Sequence, residues 1–349
     1  MNLKFGFDNE LKPIIQRTTG EIRKSKMPEA PSKKNIQSNF LPAASQSSLS
    51  GNKLESVKEL ENLVGLENVK SLIEEIVAYV KIERRRGQEG LVTEPMVMHM
   101  IFKGNPGTGK TTVARLIGRL FKELGVLQKG HLIEVERADL VGEYVGHTAH
   151  RTREQLRKGI GGVLFIDEAY SLARGGSRDF GREAIDTLVK SMEEHRKEMV
   201  IILAGYTDEM NSFLASNPGL RSRFPIHLSF ADYSERELLD IAKLMIEERQ
   251  YRLTDAAENK LKNVISRSSQ TGHPFGGNAR FVRNLAEKAI RTQALRLVNY
   301  KTLTREQLIV LEACDIPEET YKIEGNDGIT NFELLKGLRA VEDFAASEG

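Results

Sequence analysis

The chain has 349 residues, with 51 lysines and arginines against 49 aspartates and glutamates, and therefore a net charge of +2. A chain of this length suggests about two domains, and the near-neutral charge argues against a protein that binds polyanions with its whole surface. The single cysteine, Cys314, excludes an internal disulfide and a metal site built from several cysteines.

Apolar runs in this sequence are short. Val163–Ile166 and Met199–Ala204 are two of the longer ones, and both fall far below the ~20 residues that a membrane-spanning helix needs. The N-terminus lacks the continuous apolar segment of a secretory signal. We therefore expect a cytoplasmic protein without a membrane span.

Residues 1–53 are predicted to form a flexible N-terminal arm, which is either a simple tether or a docking segment. The stretch from Ser25 to Asn52 is rich in Ser, Lys, Pro, Asn and Gln, and such a composition buries too little apolar area to offset the entropy of ordering. Order is expected from about Leu54. Helical spacing then predicts a helix over residues 66–86, whose basic end either offsets the helix dipole or contacts nucleic acid.

From Val97 onward, short apolar runs alternate with helical patterns, which is typical of a parallel sheet covered on both faces. The predicted strands are residues 97–102, 131–135, 163–166, 200–204 and 226–230, and the predicted helices between them are residues 110–124, 148–158, 181–195 and 208–214. We therefore predict a large α/β domain over residues 54–232 with a five-stranded parallel sheet.

After Asp232 the strand pattern is predicted to stop. Helical patterns follow at about residues 234–249, 254–268 and 278–297. They predict a small all-α domain over residues 233–300. Residues 301–349 are predicted to form a C-terminal extension, with a weak strand-like or helical run at Gln307–Leu311 and a last helix at residues 331–345.

A complete P-loop motif follows the first predicted strand and precedes a helix. The motif consists of Gly104, Asn105, Pro106, Gly107, Thr108, Gly109, Lys110 and Thr111, and Thr112 follows it in the helix. Glycines let the backbone turn tightly, so that its N–H groups face phosphates. Lys110 can reach the β- and γ-phosphates, and the Thr111 hydroxyl can bind Mg²⁺. The motif therefore predicts a nucleotide site.

Two carboxylates, Asp167 and Glu168, end the apolar strand Val163–Ile166. A buried parallel strand delivers its last side chains to the carboxyl edge of the sheet, where open α/β sheets bind ligands. Asp167 is predicted to hold Mg²⁺. Glu168 is predicted to orient and polarise the attacking water, a role that distinguishes hydrolysis of a nucleotide from binding alone.

Together these motifs resemble those of the AAA+ ATPases. Further similar segments are residues 63–66, 217–225 and 276–280. Within the superfamily the sequence resembles the CbxX/CfxQ group, through residues 130–148, 166–172 and 202–206. The resemblance covers about residues 55–300 and implies a P-loop AAA+ domain followed by a helical lid. It implies ATP and Mg²⁺ as ligands.

The resemblance also implies roles for residues outside the P-loop. Val64 and Gly65 are similar to the segment that lines the adenine pocket in this superfamily. Arg280 resembles the lid arginine that contacts the γ-phosphate. The position that usually carries a small polar sensor residue corresponds here to Tyr206 or Thr207.

An arginine donated to the active site of a neighbouring subunit is a further expectation from the resemblance. Arg223 is the first choice for this finger and Arg221 the second. A finger of this kind can increase the rate of hydrolysis by a factor of ~10³–10⁵. Activity is therefore expected to require a homo-oligomeric ring of six subunits.

The loop after the second predicted strand resembles the pore loop of AAA+ rings, in which an aromatic and an aliphatic side chain grip a polypeptide. Tyr144 and Val145 occupy those positions, and a tyrosine offers a rigid amphipathic surface for such a grip. The neighbouring Glu143 is acidic, which favours a protein partner over nucleic acid.

We expect from these features a Mg²⁺-dependent ATPase that threads or remodels a protein partner. The resemblance favours a role in spore formation, although members that reactivate a carbon-fixing enzyme also belong to the group. Two alternatives remain open. The first is a DNA-associated motor or loader, and the second is a scaffold that switches with nucleotide, against which Glu168 argues.

Overall fold

The computed structural model describes residues 54–94, 96–144, 146–175, 179–270 and 277–318 of the chain. The predicted N-terminal arm, the last predicted helix at residues 331–345 and Val145 lie outside these residues. Among the described residues, none of the helices is both long enough and apolar enough to cross a membrane.

Five parallel strands form the central sheet, as predicted, and their order is β2-β3-β4-β1-β5. The strands are β1 (Met100–Gly104), β2 (Leu132–Val135), β3 (Val163–Ile166), β4 (Val200–Gly205) and β5 (Ile226–Phe230). β3 and β4 are buried along their whole lengths, which is why both appear in the sequence as uninterrupted apolar runs. β1 is an interior strand between β4 and β5, so the loop that follows it emerges at the carboxyl edge of the sheet beside both neighbours.

Helices cover both faces of this sheet. They are α1 (Glu55–Asn62), α2 (Glu67–Gln88), α3 (Lys110–Glu123), α4 (Arg137–Leu140), α5 (His147–Gly159), a 3₁₀ helix (Ala169–Ala173), α6 (Gly181–Glu194), α7 (Thr207–Ser216) and α8 (Pro218–Arg221). Because side chains alternate along a strand, Met100 and Phe102 pack with α1 to α3, whereas Ile101 packs in a second core with α6 and α7.

β1 begins at Met100, three residues later than predicted, because the His99 side chain takes the place of a backbone carbonyl as hydrogen-bond acceptor for β4. The His99 Nδ1 atom accepts a hydrogen bond from the backbone N–H of Ile201 at 3.0 Å. Backbone pairing with β4 and β5 starts only at Met100.

The basic end of α2 is engaged within the large domain. An Nη atom of Arg84 donates to the carbonyl of Leu124 at 3.0 Å, and Arg86 donates to the carbonyl of Val92 at 3.2 Å. These bonds connect the end of α2 to other segments of the same domain. They favour a structural role for the basic residues over contact with nucleic acid.

A smaller domain follows, built around α9 (Glu235–Glu248), α10 (Asp255–Gln270) and α11 (Asn278–Leu297). The prediction that strands stop after Asp232 is wrong in one detail. β6 (Arg252–Leu253) pairs in parallel with β7 (Val310–Leu311), directly after α12 (Arg305–Ile309). The small domain is therefore helical with a two-stranded addition rather than all-α.

Part of the predicted C-terminal extension packs on this small domain. Leu311 and Ile316 are almost fully buried in its core, together with helices α9 to α11. Arg296 of α11 forms a two-pronged ion pair with the buried Asp315, at 2.8 and 2.9 Å. We propose on these contacts that the small domain continues beyond residue 300, to at least residue 318.

Candidate nucleotide site

The phosphate loop, Gly104–Lys110, runs from the end of β1 to the first residue of α3. The N-cap of α3 is Gly109, which has no side chain to bond the free N–H groups of the first turn, so these groups can bind an anion. The Lys110 ammonium donates to the carbonyls of Gly104 and Asn105, at 2.8 and 2.7 Å. The motif predicted from sequence thus has the backbone form that a phosphate cradle needs.

Opposing charges surround Lys110. Burial lowers the pKa of its ammonium, the nearby carboxylates of Asp167 and Asp232 raise this pKa, and Arg280 lowers it. The structure therefore brings together a lysine, the lid arginine and the strand-end aspartate, three residues that sequence analysis assigned separately to the same site.

Glu168 stands in a left-handed backbone conformation, with φ of 45°. Non-glycine residues adopt this conformation at a cost of about 1–3 kcal/mol and are concentrated at functional sites. Its backbone N–H donates to the Asp167 Oδ1 atom at 2.9 Å, and its own side chain is exposed. The turn holds the two carboxylates beside each other at the end of β3.

The oxygen atoms of Thr111 and Asp167 suit Mg²⁺. Mg²⁺ prefers oxygen ligands and is usually held by one or two carboxylates, substrate phosphates and waters rather than by a protein cage. The described residues contain no cluster of three or more His, Cys, Asp or Glu side chains that could hold a metal ion.

A cavity of about 720 Å³ opens beside these carboxylates. Asp167 and Glu168 line one side and Arg280 lines another, while Gly142 and Glu143 extend the cavity to the base of the predicted pore loop. The cavity therefore connects the predicted water-activating carboxylate with the chain segment that carries Tyr144.

The segment Val64–Leu66 lies where the large domain meets the small one. Gly65 has φ of 65°, and a Cβ atom there would come within 2.3 Å of a carboxylate oxygen of Glu237 on α9. Val64 packs against the core of the small domain, and Leu66 lies beside Gly109 of the phosphate loop. Val64 and Gly65, the residues predicted for the adenine side, therefore lie at the junction of the two domains.

Three residues at this junction were missed as functional residues. In the sequence, Asp232 marks only a domain boundary, Asn278 is only part of a motif, and Tyr233 has no predicted role. In the structure the Tyr233 hydroxyl donates to the carbonyl of Thr108 at 3.2 Å, and burial raises the pKa of this hydroxyl to about 12. The only clue in the sequence was their location, since Asp232 and Tyr233 closely follow β5 and Asn278 closely precedes Arg280.

The two candidate finger arginines lie together at the end of the large domain, and neither lines the cavity of its own subunit. Arg221 is the exposed last residue of α8. Arg223 donates through Nε to the Glu193 carboxylate at 3.1 Å and through Nη1 to the Gly219 carbonyl at 2.8 Å. These contacts fix the direction of the Arg223 side chain.

Tyr206 and Thr207 are the two candidates for the sensor position: Tyr206 links β4 to α7, and Thr207 is the first residue of α7. Thr207 is exposed, whereas Tyr206 is half-buried with its ring centre 5.8 Å from that of Tyr170. Tyr170 itself follows Glu168 in the 3₁₀ helix and packs on Gly205. This contact links the turn after β4 to the turn after β3.

Tyr144 is 67% exposed, and its ring meets the ring of His147 edge-on at 5.5 Å. Behind this loop, Arg137 connects two segments, since it donates to the carbonyl of Ser171 and pairs with Asp179 at 2.6 Å. The guanidinium lowers the pKa of the Asp179 carboxyl. At the base of the loop itself, the backbone N–H of Gly142 donates to the Thr148 hydroxyl at 3.0 Å, and Arg151 donates to the carbonyl of Val141 at 3.1 Å.

Two protein families match the chain. The family described as "ATPase family associated with various cellular activities (AAA)" matches residues 100–232, and the family described as "AAA lid domain" matches residues 234–326. The first match contains the phosphate loop and the strand-end carboxylates, and the second contains Asn278 and Arg280.

Curated relatives match most of the chain. Stage V sporulation protein K of Bacillus subtilis is 55% identical over 260 residues, which cover 74% of this chain and 81% of the relative. A CfxQ homolog of Trieres chinensis is 46% identical over 77% of this chain and 94% of its own length. The chloroplastic ribulose bisphosphate carboxylase/oxygenase activase of Cyanidioschyzon merolae is 47% identical over 73% of this chain and 87% of its own.

Proposed function

This chain belongs to the AAA ATPases and, among them, to the CbxX/CfxQ family, so it hydrolyses ATP, and we propose that it uses this hydrolysis to remodel a protein partner within a homo-oligomeric ring. The observation that carries the proposal is the cavity that extends from Asp167 and Glu168 to the base of the loop bearing Tyr144. The cavity thus joins the strand-end carboxylates to Gly142 and Glu143, which directly precede the exposed Tyr144 in the chain.

The chemistry proposed for the site follows from the charges around it. The N–H groups of the phosphate loop and the Lys110 ammonium bind the β- and γ-phosphates. Glu168 orients and polarises the attacking water, and Arg280 contacts the γ-phosphate from the lid. Thr111 and Asp167 would hold Mg²⁺, whose charge offsets that of the phosphates when it is bound. Val64 and Gly65 line the adenine side.

We propose a hexameric ring in which Arg223 enters the site of the next subunit. Its contacts with Glu193 and Gly219 support this role, because they hold the guanidinium away from the cavity of its own subunit. Arg221 on the adjacent helix is the second candidate. Tyr206 or Thr207 is proposed to sense the γ-phosphate from the end of β4.

The proposed substrate is a polypeptide gripped by Tyr144, whose ring presents an exposed and rigid surface. One relative is named as an activase of an enzyme and another for spore formation. The higher identity with the sporulation protein supports a partner involved in spore formation.

The variant Glu168→Gln tests the proposal, with Glu248→Gln on the exposed face of α9 as the matched control. We expect Glu168→Gln to bind ATP normally and to hydrolyse it about 100-fold or more slowly, because the amide does not accept the proton of the water. The variant should hold a protein partner stably in the presence of ATP. Near-normal turnover would contradict the role of Glu168.

The second variant, Tyr144→Ala, separates hydrolysis from remodelling. We expect its basal ATPase rate to stay within about twofold of the wild type, since Tyr144 is 67% exposed and belongs neither to the phosphate loop nor to the strand-end carboxylates. Remodelling of the partner held by the Glu168→Gln protein should be lost. Unchanged remodelling would remove the grip by Tyr144, and turnover stimulated by DNA would favour a DNA-associated motor instead.

A further inference from the structure

Hydrogen bonds hold the phosphate loop from its outer side. The carbonyls of three consecutive residues, Pro106, Gly107 and Thr108, each accept a bond, either from the small domain (the lid) or from the hinge, which is the segment of residues 231–234 between β5 and α9. The donors are the Asn278 side chain at 3.2 Å, the backbone N–H of Ala279 at 3.0 Å and the Tyr233 hydroxyl at 3.2 Å, in that order.

Peptide planarity gives these bonds a direct consequence for the phosphate side of the loop. In a planar trans peptide, the carbonyl of one residue points opposite to the N–H of the next. Bonds that fix the carbonyls of Pro106, Gly107 and Thr108 toward the lid therefore aim the N–H groups of Gly107, Thr108 and Gly109 the other way. These are the N–H groups that a P-loop turns toward phosphates.

Asn278 is at the centre of this arrangement. It is 6% exposed, and all its polar atoms have partners. The Oδ1 atom accepts from the backbone N–H of Tyr233 at 3.0 Å, and the Nδ2 atom donates to Asp232 at 2.8 Å as well as to the carbonyl of Pro106. The same Asp232 carboxylate accepts from the Asn105 side chain at 2.9 and 3.0 Å.

The backbone at this point favours asparagine. Asn278 has φ of 41° and follows Gly277, which has φ of 38°. Asparagine tolerates the left-handed conformation better than other residues with a Cβ atom. Glycine would adopt it without strain but would lack the amide, and aspartate would keep the shape but lose both donated bonds. The position thus requires this backbone and this amide together.

We propose that Asn278 is a positioning residue for nucleotide binding, which sets the N–H groups of the phosphate loop and the lid arginine Arg280 in register. Arg280 follows Asn278 by two residues in the first turn of α11, so the bond to Pro106 ties the start of that helix to the loop. The inference rests on the proposed binding of phosphates by this loop.

The test uses Asn278→Asp and Asn278→Gly in the full-length protein, with MgADP as the probe in calorimetric titrations and ATP in steady-state kinetics. Asn284→Asp, at an exposed position of the same helix, is the matched control. We expect both Asn278 variants to bind MgADP about tenfold more weakly or worse, since Asn278→Asp loses the two donated hydrogen bonds and Asn278→Gly loses all three side-chain hydrogen bonds. The KM for ATP should rise similarly, and the control should match the wild type.

A rescue variant distinguishes positioning from general destabilisation. In Asp232→Asn/Asn278→Asp the hydrogen bond between the two side chains re-forms with donor and acceptor exchanged. We expect MgADP affinity to return to within about threefold of the wild type, the remainder being the lost bond to Pro106.

Two outcomes would overturn the inference: Asn278→Gly that folds and binds MgADP as the wild type does, or a double variant no better than Asn278→Asp. A wild-type protein that fails to bind MgADP would instead refute the proposed nucleotide function. The two failures are therefore distinguishable.

Discussion

The large domain supplies its side of the nucleotide site in runs of consecutive residues, whereas the lid and hinge supply single side chains from distant parts of the sequence. The loop Gly104–Lys110 and the pair Asp167 and Glu168 each follow directly from a buried strand. By contrast, the bond from Asn278 to Pro106 spans 172 residues, and that from Tyr233 to Thr108 spans 125.

This difference indicates which side of the site can move. Strands buried in a sheet fix the phosphate loop and the carboxylates relative to each other. The lid side is held by a few hydrogen bonds, each with a net contribution of about 1 kcal/mol. Nucleotide contacts of comparable strength can therefore shift the lid without disturbing the sheet.

The largest expected effects come from the two arginines, one on each domain. Arg223→Ala should lower ATP turnover about 10³-fold, because a finger stabilises charge in the transition state. Arg280→Ala should lower it about 30-fold, through loss of a charge-assisted bond from the lid. Steady-state ATPase measurements on purified rings would check both values, with Arg221→Ala as the test of the second finger candidate.

Mixed rings sharpen the distinction between the two arginines. When Arg223→Ala protein is mixed with Glu168→Gln protein, sites that combine an intact Glu168 with a neighbour's Arg223 should regain turnover. Mixtures of Arg280→Ala with Glu168→Gln should not, since the lid arginine acts within its own subunit. Recovery in the second mixture, or none in the first, would contradict this division between the domains.

Gly107→Ala probes the contact between the phosphate loop of the large domain and the lid. Gly107 has φ of 74°, and an added Cβ would lie 2.4 Å from the backbone carbonyl oxygen of Gly277. We expect MgADP affinity to fall about 30-fold, because the loop and the lid must separate to admit the methyl group. Calorimetric titration with MgADP would measure the change.

Gly90→Ala is the matched control for this prediction. Gly90 also has a left-handed φ, of 71°, but a Cβ there would meet no atom within 4 Å. It therefore carries the backbone cost without the clash. Equal MgADP affinities for the Gly107→Ala and Gly90→Ala proteins would show that contact with the lid is irrelevant to nucleotide binding.

The same contrast explains what sequence analysis could predict. β3 and β4 were predicted within one residue because strands buried on both faces are continuous apolar runs. β6 and β7 have two residues each, too few for any periodicity to be visible. Asn278 gave no chemical signal by itself, because its role depends on a carbonyl 172 residues away.

Low pH should lower the free energy of unfolding of the large domain through protonation of His99. Burial lowers the pKa of this imidazole to about 4, from 6.5, and its Nε2 atom has no hydrogen-bond partner among the described residues. The pKa of His99 is lower in the folded protein than in the unfolded chain. The large domain therefore has its full stability above pH 6.5 and loses stability as the pH falls toward 4. The loss reaches about 3 kcal/mol of unfolding free energy.

Hydrogen exchange at a series of pH values would localise this effect. Peptides from β1 and β4 should lose protection below pH 6.5, and His99→Asn, whose Oδ1 can replace Nδ1 as acceptor, should show a shallower dependence on pH. His150→Asn, at an exposed position, is the control. An identical pH dependence for His99→Asn and the wild type would exclude His99 as the cause.

The smallest expected effect tests a single bond between hinge and loop. Tyr233→Phe removes the hydroxyl that donates to the Thr108 carbonyl and leaves the packing of the ring intact. One bond of about 1 kcal/mol predicts about fivefold weaker MgADP binding. The lost bond also frees the peptide that carries the Gly109 N–H, so the weakening should be in nucleotide affinity rather than in thermal stability. Tyr300→Phe, on the exposed surface of the lid, should bind MgADP as the wild type does. If Tyr233→Phe binds MgADP as well as the wild type does, the bond to the Thr108 carbonyl makes no contribution to the orientation of the phosphate loop, which then depends on the sheet and on the bonds from Asn278 and Ala279.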